Sequence, residues 1–371
     1  MKIAVLGIGG SGSAALRFLA QSGHEATGFE QFSLGHSRGS SHGQSRIIRY
    51  SYPDSFHTKL MARAYELWDD LERETGENLF VRCGGITFGP PDEPRVKNTR
   101  ASLESAGLGY DFLSRDAASE RFPALDIGAG NVGIFQSKSG FLRSSDCVLA
   151  QANAAQKLGA TLHENTPVLA LEETASGIHV STREKTETFD AAICTAGPWM
   201  GKLLPHLKLP LETALRQVVY LGIARNEADF SPERLPVWIE KPAEYYGFPS
   251  DGVVAGVKFA SHGAGYAFDP DESQRPLMPD ALAAAVKHVK THFPDLGDEI
   301  SFAQSCLYTV TPDELFILDY APNSERIVVC SGCSGHGFKW TILLGKIAAT
   351  LAQGERFDAD LTPWRITRMG R

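Results

Sequence analysis

No stretch of this chain stays apolar for the roughly 18 residues that a membrane-spanning helix needs, and no long run of lysine and arginine occurs. The formal net charge is −8 over 371 residues. An acidic chain without a basic run is a poor partner for nucleic acid or an anionic membrane. Cysteines are few and scattered, at 83, 147, 194, 306, 330 and 333. Cys330 and Cys333 form one CxxC with no second pair to complete a zinc site. The thiols therefore read as reduced, and no metal is expected. No repeat or low-complexity segment stands out. The opening MKIAVLGIGGSG lacks the longer apolar stretch and small-residue cleavage site of a signal peptide. It reads as a buried strand, which places the protein in the cytoplasm.

The length exceeds one typical core and predicts two domains. Lys2–Leu6 is apolar enough for a strand buried on both faces. Helical spacing follows over Ser13–Ser22, then a short strand over Ala26–Glu30, making a βαβ start. Helices are also expected over Phe56–Thr75, Ser144–Leu158, Ala281–His292 and Gly337–Leu351. Strands are expected over Ala160–Val168, Ile178–Thr182, Ala191–Thr195, Leu215–Ala224 and Ile327–Cys330, with shorter ones from Phe80 and between Trp238 and Lys258. The fold class is α/β: a dinucleotide-binding, Rossmann-like domain plus a domain built on a mixed β-sheet. The change of texture assigns 1–82, 143–205 and 312–371 to the first, and 83–142 and 206–311 to the second.

Residues 7–12 read G-I-G-G-S-G, the GxGxxG spacing. Gly7 suits the tight turn, Gly9 lets backbone approach a pyrophosphate, and Gly12 lets helix pack closely on strand; Gly10 and Ser11 complete the loop. The helix N-terminus offers unpaired N–H groups to phosphate. Glu30 closes the second strand, where a carboxylate accepts hydrogen bonds from a ribose diol. The fingerprint alone leaves FAD and NAD open.

Four later segments separate them: GSSHGQSRIIRYSY (39–52), EYYGFPSDGVVAGVKFASH (244–262), SCLYTVTPDELFILD (305–319) and SGCSGHGFKW (331–340). Together they resemble the monomeric sarcosine oxidase and N-methyltryptophan oxidase family, in order and spacing over nearly the whole chain. The resemblance implies FAD held covalently, with Cys306 at the tether to the flavin 8-methyl carbon. It places Arg46 beside the flavin ring and Lys258 where a lysine promotes reaction with oxygen. It places Arg49 and Lys339 on the substrate carboxylate, and Tyr246, His262, Tyr52 and Trp238 around the substrate. Gly335, His336, Gly337 and Phe338 fall on backbone at the flavin pyrimidine edge, where the start of the last helix would face the reduced flavin's negative charge. Gln31, Ser40, Gly43, Gln44, Ser45 and Val168 fall on further cofactor contacts.

Taken singly, these residues have blander readings. Arg46 and Arg49 could share a solvated helix face, Lys258 and Lys339 could be surface lysines, and Cys306 a small core residue. Only their joint occurrence with the fingerprint favours a site. The sequence also departs from the family: Ser41 precedes His42 where two histidines are common, Tyr50 replaces a histidine, Cys333 replaces a bulky apolar residue, and Trp238 stands where a methionine lines the pocket.

The expected reaction is oxidation of a secondary amino acid at a carbon next to nitrogen, with imine hydrolysis and reduction of oxygen to hydrogen peroxide, in a monomer. Alternatives are a cyclic imino acid or a sugar-modified amino acid as substrate, and a dehydrogenase using another acceptor. An NAD-dependent dehydrogenase and a non-catalytic flavin protein are the rivals from other classes.

Overall fold

The computed structural model describes residues 1–263 and 265–369. Its first sheet has six strands in the order 317–320, 327–331, 191–194, 2–6, 25–29, 161–163. Only Ile317–Tyr320 runs antiparallel to its neighbour; the other pairs are parallel. Parallel strands need cover on both faces, and Ile3, Ala4, Val5 and Leu6 are all buried. One face is covered by the helix Gly10–Gln21, which packs between Ser144–Lys157 and Thr341–Ala352. These helices approach closely because small residues meet: a Cβ on Gly345 would lie 2.4 Å from Ala14 Cβ and 2.6 Å from Ser11 O. The helix Ser55–Thr75 starts on an Asp54 cap that accepts from His57 N–H and ends on Gly76 at φ 74°. Its apolar stripe, from Leu60 to Leu71, is buried against the same core.

The second sheet has nine strands and is mixed. Its spine is an antiparallel ribbon of Glu212–Ile223 and Leu296–Val310, with Arg216 opposite Cys306. Val257–Ser261 and Tyr245–Gly247 continue it antiparallel, and Val237–Glu240 pairs in parallel with Gly85–Gly89. Pro279–His292 and Phe293 supply Leu282, Ala285, Val289 and the Phe293 ring to the core on its outer face. Two small sheets complete the fold, Arg46–Ile48 with Gly140–Leu142 and Phe80–Val81, and an antiparallel meander of Ala170–Thr174, Gly177–Ser181 and Thr186–Phe189. No described helix is long and apolar enough to cross a membrane.

Several expectations need correction. The first helix begins at Gly10, not Ser13, because the glycine loop itself winds into its first turn. The strand expected over Ala160–Val168 covers only Thr161–His163: Asn165 takes φ 52°, and the chain then crosses the end of Glu25–Phe29, with Thr166 N–H donating to Glu30 O at 2.8 Å. Arg46 and Arg49 lie on and just after a strand, not on a helix face. The last α-helix starts at Thr341; a single 3-10 turn, Phe338–Trp340, precedes it. The α-helix N-terminus therefore sits beside Gly10, where a Cβ would meet Thr341 Cγ2 at 2.7 Å.

Candidate active site

A cavity of about 670 Å³ runs between the two large sheets. That size suits a sizeable ligand, within the usual range of about 300–1,000 Å³. One end is the glycine loop. Gly7, at φ 93°, has no room for a Cβ, which would lie 2.8 Å from Thr195 O. Gly12 does not touch the cavity; its missing Cβ would collide with Gly7 O at 1.9 Å, so it serves helix-on-strand packing as expected. Ile8 N–H donates to Glu30 Oε2 at 2.9 Å and Phe32 N–H to Glu30 Oε1 at 3.1 Å. The carboxylate is thus held by backbone at the mouth of the loop, keeping lone pairs for a diol. Gln31 and Val168 line the same end.

The middle of the cavity is walled by Ser40, Ser41, His42, Ser45 and Arg46. Arg46 curls back on this segment, its guanidinium donating to Ser45 O at 2.9 Å, Ser40 O at 3.1 Å and His42 O at 2.6 Å. Gly43 and Gln44 face away from the cavity. Gly43 N–H donates to Ser145 Oγ at 3.0 Å, so this turn is tied to a helix start and not offered to a ligand. Lys258, 4% exposed, donates from Nζ to Ser45 O at 2.8 Å and lies 4.7 Å over the Phe248 ring. Burial, reinforced by Arg46, lowers its pKa well below the ordinary lysine value. Cys306 is buried at the cavity on the sheet that also carries Lys258; burial raises its thiol pKa while Arg46 and Lys258 pull it down.

The far end holds the substrate candidates. Arg49 and Lys339, distant in sequence, converge on Tyr52: the guanidinium carbon is 4.6 Å and the ammonium 5.3 Å from its ring centroid. Lys339 Nζ donates to Tyr52 Oη at 3.1 Å and to His336 O at 2.6 Å. Trp340 Nε1 also donates to Tyr52 Oη, at 2.8 Å. With both acceptor positions used, the Tyr52 hydroxyl donates to His336 Nδ1 at 3.0 Å. His336 Nε2–H then donates to Glu314 O at 2.9 Å, which fixes a neutral ring. The direction of its pKa agrees: burial, then Lys339, lower it well below the usual value. Burial likewise lowers Lys339, with Arg49 adding to the effect, and burial also lowers Arg49, which Tyr52 and Glu244 partly offset. Among the described residues, neither cation has a carboxylate as hydrogen-bond partner; their partners are backbone carbonyls, Tyr52 and Ser51.

Tyr246 Oη lies 3.0 Å from Tyr308 Oη, and the His262 ring packs at 5.7 Å from the Tyr308 ring. Gly335 is required here, since a Cβ would come within 2.1 Å of Tyr308. Gly337 and Phe338 line the same turn. Tyr308 is absent from the sequence reading, yet it lies two residues after Cys306 on one strand, hence on the same face. The ion-pair group of Lys241, Glu244 and Arg95 at the cavity edge was missed as well; nothing in its spacing marks it.

Trp238 is not a wall residue. It is fully buried in the outer core against Phe88 and Phe293. Strand alternation instead turns its neighbour Ile239 toward the cavity, with Thr87 beside it. Tyr50 stacks on Tyr65 at 4.1 Å outside the cavity, and Cys333 is a free thiol on the wall.

His42 Nε2, Thr309 Oγ1 and Ser331 Oγ are buried without a hydrogen-bond partner, and all three residues line the cavity. Burial, then Arg46 and Lys258, push the His42 pKa down to about 3. The large majority of buried side-chain polar atoms in native proteins have a hydrogen-bond partner. Three orphans around one cavity, next to a glycine loop and an anchored acid, fit a long polar ligand such as a dinucleotide.

A family model described as FAD dependent oxidoreductase matches residues 2–351. The chain is 36% identical to monomeric sarcosine oxidase of Streptomyces avermitilis over 357 residues, which span 94% of this chain and 93% of the relative. It is 31% identical to N-methyl-L-tryptophan oxidase of Yersinia pestis over 369 residues, 98% of each chain. In fold it is similar to L-proline dehydrogenase from P. horikoshii, with TM-score 0.86, 22% identity, and 100% of this chain and 98% of that one covered.

Proposed function

The chain belongs to the FAD-dependent oxidoreductase family, and from that premise we propose that it oxidises a small secondary amino acid, of the N-methyl kind, at a carbon next to nitrogen. Bound FAD supplies the two-electron acceptor for that C–H bond, and oxygen then takes the electrons as hydrogen peroxide. The carrying observation is the meeting on Tyr52 of buried Lys339 and partly buried Arg49, neither hydrogen-bonded to a carboxylate among the described residues. Taking one ion out of water costs several kcal/mol even after relaxation. A substrate carboxylate offsets that cost at both groups at once. Arg49 presents a planar fork and Lys339 a point charge.

The same cations favour a neutral amine over an ammonium, so no side chain needs to act as a strong base. Tyr246 and His262 flank the bound molecule, and Tyr308 positions both. Glu30, the glycine loop, Gln31 and Val168 hold the adenosine end of FAD, and the turn Gly335–Phe338 meets the pyrimidine edge. Cys306 carries the tether to the 8-methyl carbon, and Lys258 serves oxygen. On this reading residues 1–82, 143–205 and 312–371 bind FAD, and 83–142 with 206–311 bind substrate, in a cytoplasmic monomer. The relatives' names support the substrate class, since both denote oxidases of N-methyl amino acids. A cyclic imino acid offers the same carboxylate and secondary nitrogen and falls within the reading.

An anaerobic panel tests it. N-methyl and cyclic amino acids are expected to bleach the flavin absorbance, and admitted oxygen to restore it with one equivalent of peroxide. No bleaching by any secondary amino acid would overturn the proposal.

A further inference from the structure

On the far side of the substrate sheet, outside the cavity, two histidines and a glutamate converge. His288 and His292 are one turn apart on the last two turns of Pro279–His292 and project on the same side. Glu240, at the end of the strand Val237–Glu240, reaches both: its Oε2 is 2.6 Å from His288 Nε2 and its Oε1 is 3.3 Å from His292 Nε2. One ligand atom from each residue lies within 4.8 Å of the others. Glu240 and His292 are buried, and His288 is partly open to solvent, giving a path of entry.

We propose that Glu240, His288 and His292 bind a divalent transition-metal ion of the zinc class. Tetrahedral bonds of about 2.0–2.1 Å separate ligand atoms by roughly 3.3 Å. The Glu240–His292 separation already has that value; the Glu240–His288 pair opens by a side-chain rotation. The surroundings are built as metal sites usually are. His292 Nδ1–H donates to Asp126 O at 2.7 Å, which sets the tautomer and aims Nε2 at the ion. The His288 ring is held flat against Tyr245, with centroids 4.4 Å apart. Two imidazoles and one carboxylate leave a fourth position for water, a donor set suited to zinc and not to calcium or magnesium. Without an ion, the contacts of His292 require a proton on each ring nitrogen, and Glu240 is then shared between that imidazolium and the Nε2 of His288.

Such an ion ties the helix Pro279–His292 to the hairpin that carries Ile239 and Tyr246, which face the cavity from its other side. It touches no residue of the proposed reaction.

The test uses the full-length flavin-loaded protein, stripped with chelator and dialysed against zinc chloride. About one zinc per chain is expected by elemental analysis, with a rise in thermal midpoint on binding. His288→Ala, at a partly exposed position, should weaken uptake by at least the 10- to 100-fold typical of disturbed metal surroundings. Glu240→Gln, which keeps the volume, should do the same. Zinc uptake equal in the parent and His288→Ala, or no uptake by the parent, would overturn the site and establish the ion-pair group in its place. Flavin reduction by substrate is read in parallel; it tests the proposed function separately and is expected to survive in His288→Ala.

Discussion

Lys258 has hydrogen bonds to Ser45 and a ring beneath it, but no carboxylate ion-paired with it among the described residues. A buried ammonium of this kind stabilises negative charge that develops beside it. Lys258→Met keeps most of the volume and removes the charge. Reoxidation of the reduced protein by oxygen, followed by stopped flow, is expected to slow by about 100- to 1,000-fold, the range for losing one preorganised donor. Reduction by substrate should change much less; unchanged reoxidation would remove Lys258 from the reaction with oxygen. Cys306 gives a second test. Burial raises the pKa of its thiol, which faces the cavity, and Arg46, Lys258 and Arg216 counter that in favour of the nucleophilic thiolate. Acid-precipitated parent protein should give a yellow pellet, and Cys306→Ala a colourless one. At this scale the sequence was uneven in what it revealed. The glycine loop and Glu30 were legible because turn geometry restricts the residue type, whereas the four cations were expected only from the family resemblance. Trp238 was misplaced because a one-residue shift in strand register turns a side chain from wall to core. Tyr308 was available from the alternation that follows Cys306.

The elements that frame the cofactor end meet through residues without side chains. The helix Gly10–Gln21 lies so close to Thr341–Ala352 that Gly345 can carry no Cβ without striking Ala14 and Ser11. Gly345→Val forces the helices apart at the glycine loop. Overpacking costs typically 1–3 kcal/mol, so a lowered thermal midpoint is expected. The displacement is transmitted to Gly9 and Gly10, so flavin content after purification should fall with it. A variant with full flavin content and an unchanged midpoint would mean that the contact is not strained. Long periodic helices, such as Ser55–Thr75, were readable to within a residue, because an amphipathic stripe and its caps mark both ends. The short strand Arg46–Ile48 was not, because three residues define no period. The 3-10 turn before Thr341 was hidden for a different reason: Phe338, Lys339 and Trp340 are placed by contacts to distant Tyr52 and Trp68.

Across the whole molecule, an acidic chain of net charge −8 gathers Arg46, Arg49, Lys258 and Lys339 around one cavity. The α/β class and the two styles of sheet were legible in the alternating texture. The convergence of Arg49 with Lys339 was expected only from the family resemblance, since it depends on a loop after a short strand meeting the start of the last helix across Tyr52. That convergence is the central claim, and one comparison tests it most directly. Anaerobic reduction is measured for an N-methyl amino acid and for its decarboxylated amine, in the parent and in Lys339→Met. A charge-assisted hydrogen bond contributes about 1.5–3 kcal/mol, so binding of the amino acid should weaken roughly 10- to 100-fold. The amine, which has no carboxylate, should change little. Equal losses on both compounds would contradict the carboxylate clamp and turn the search toward simple amines.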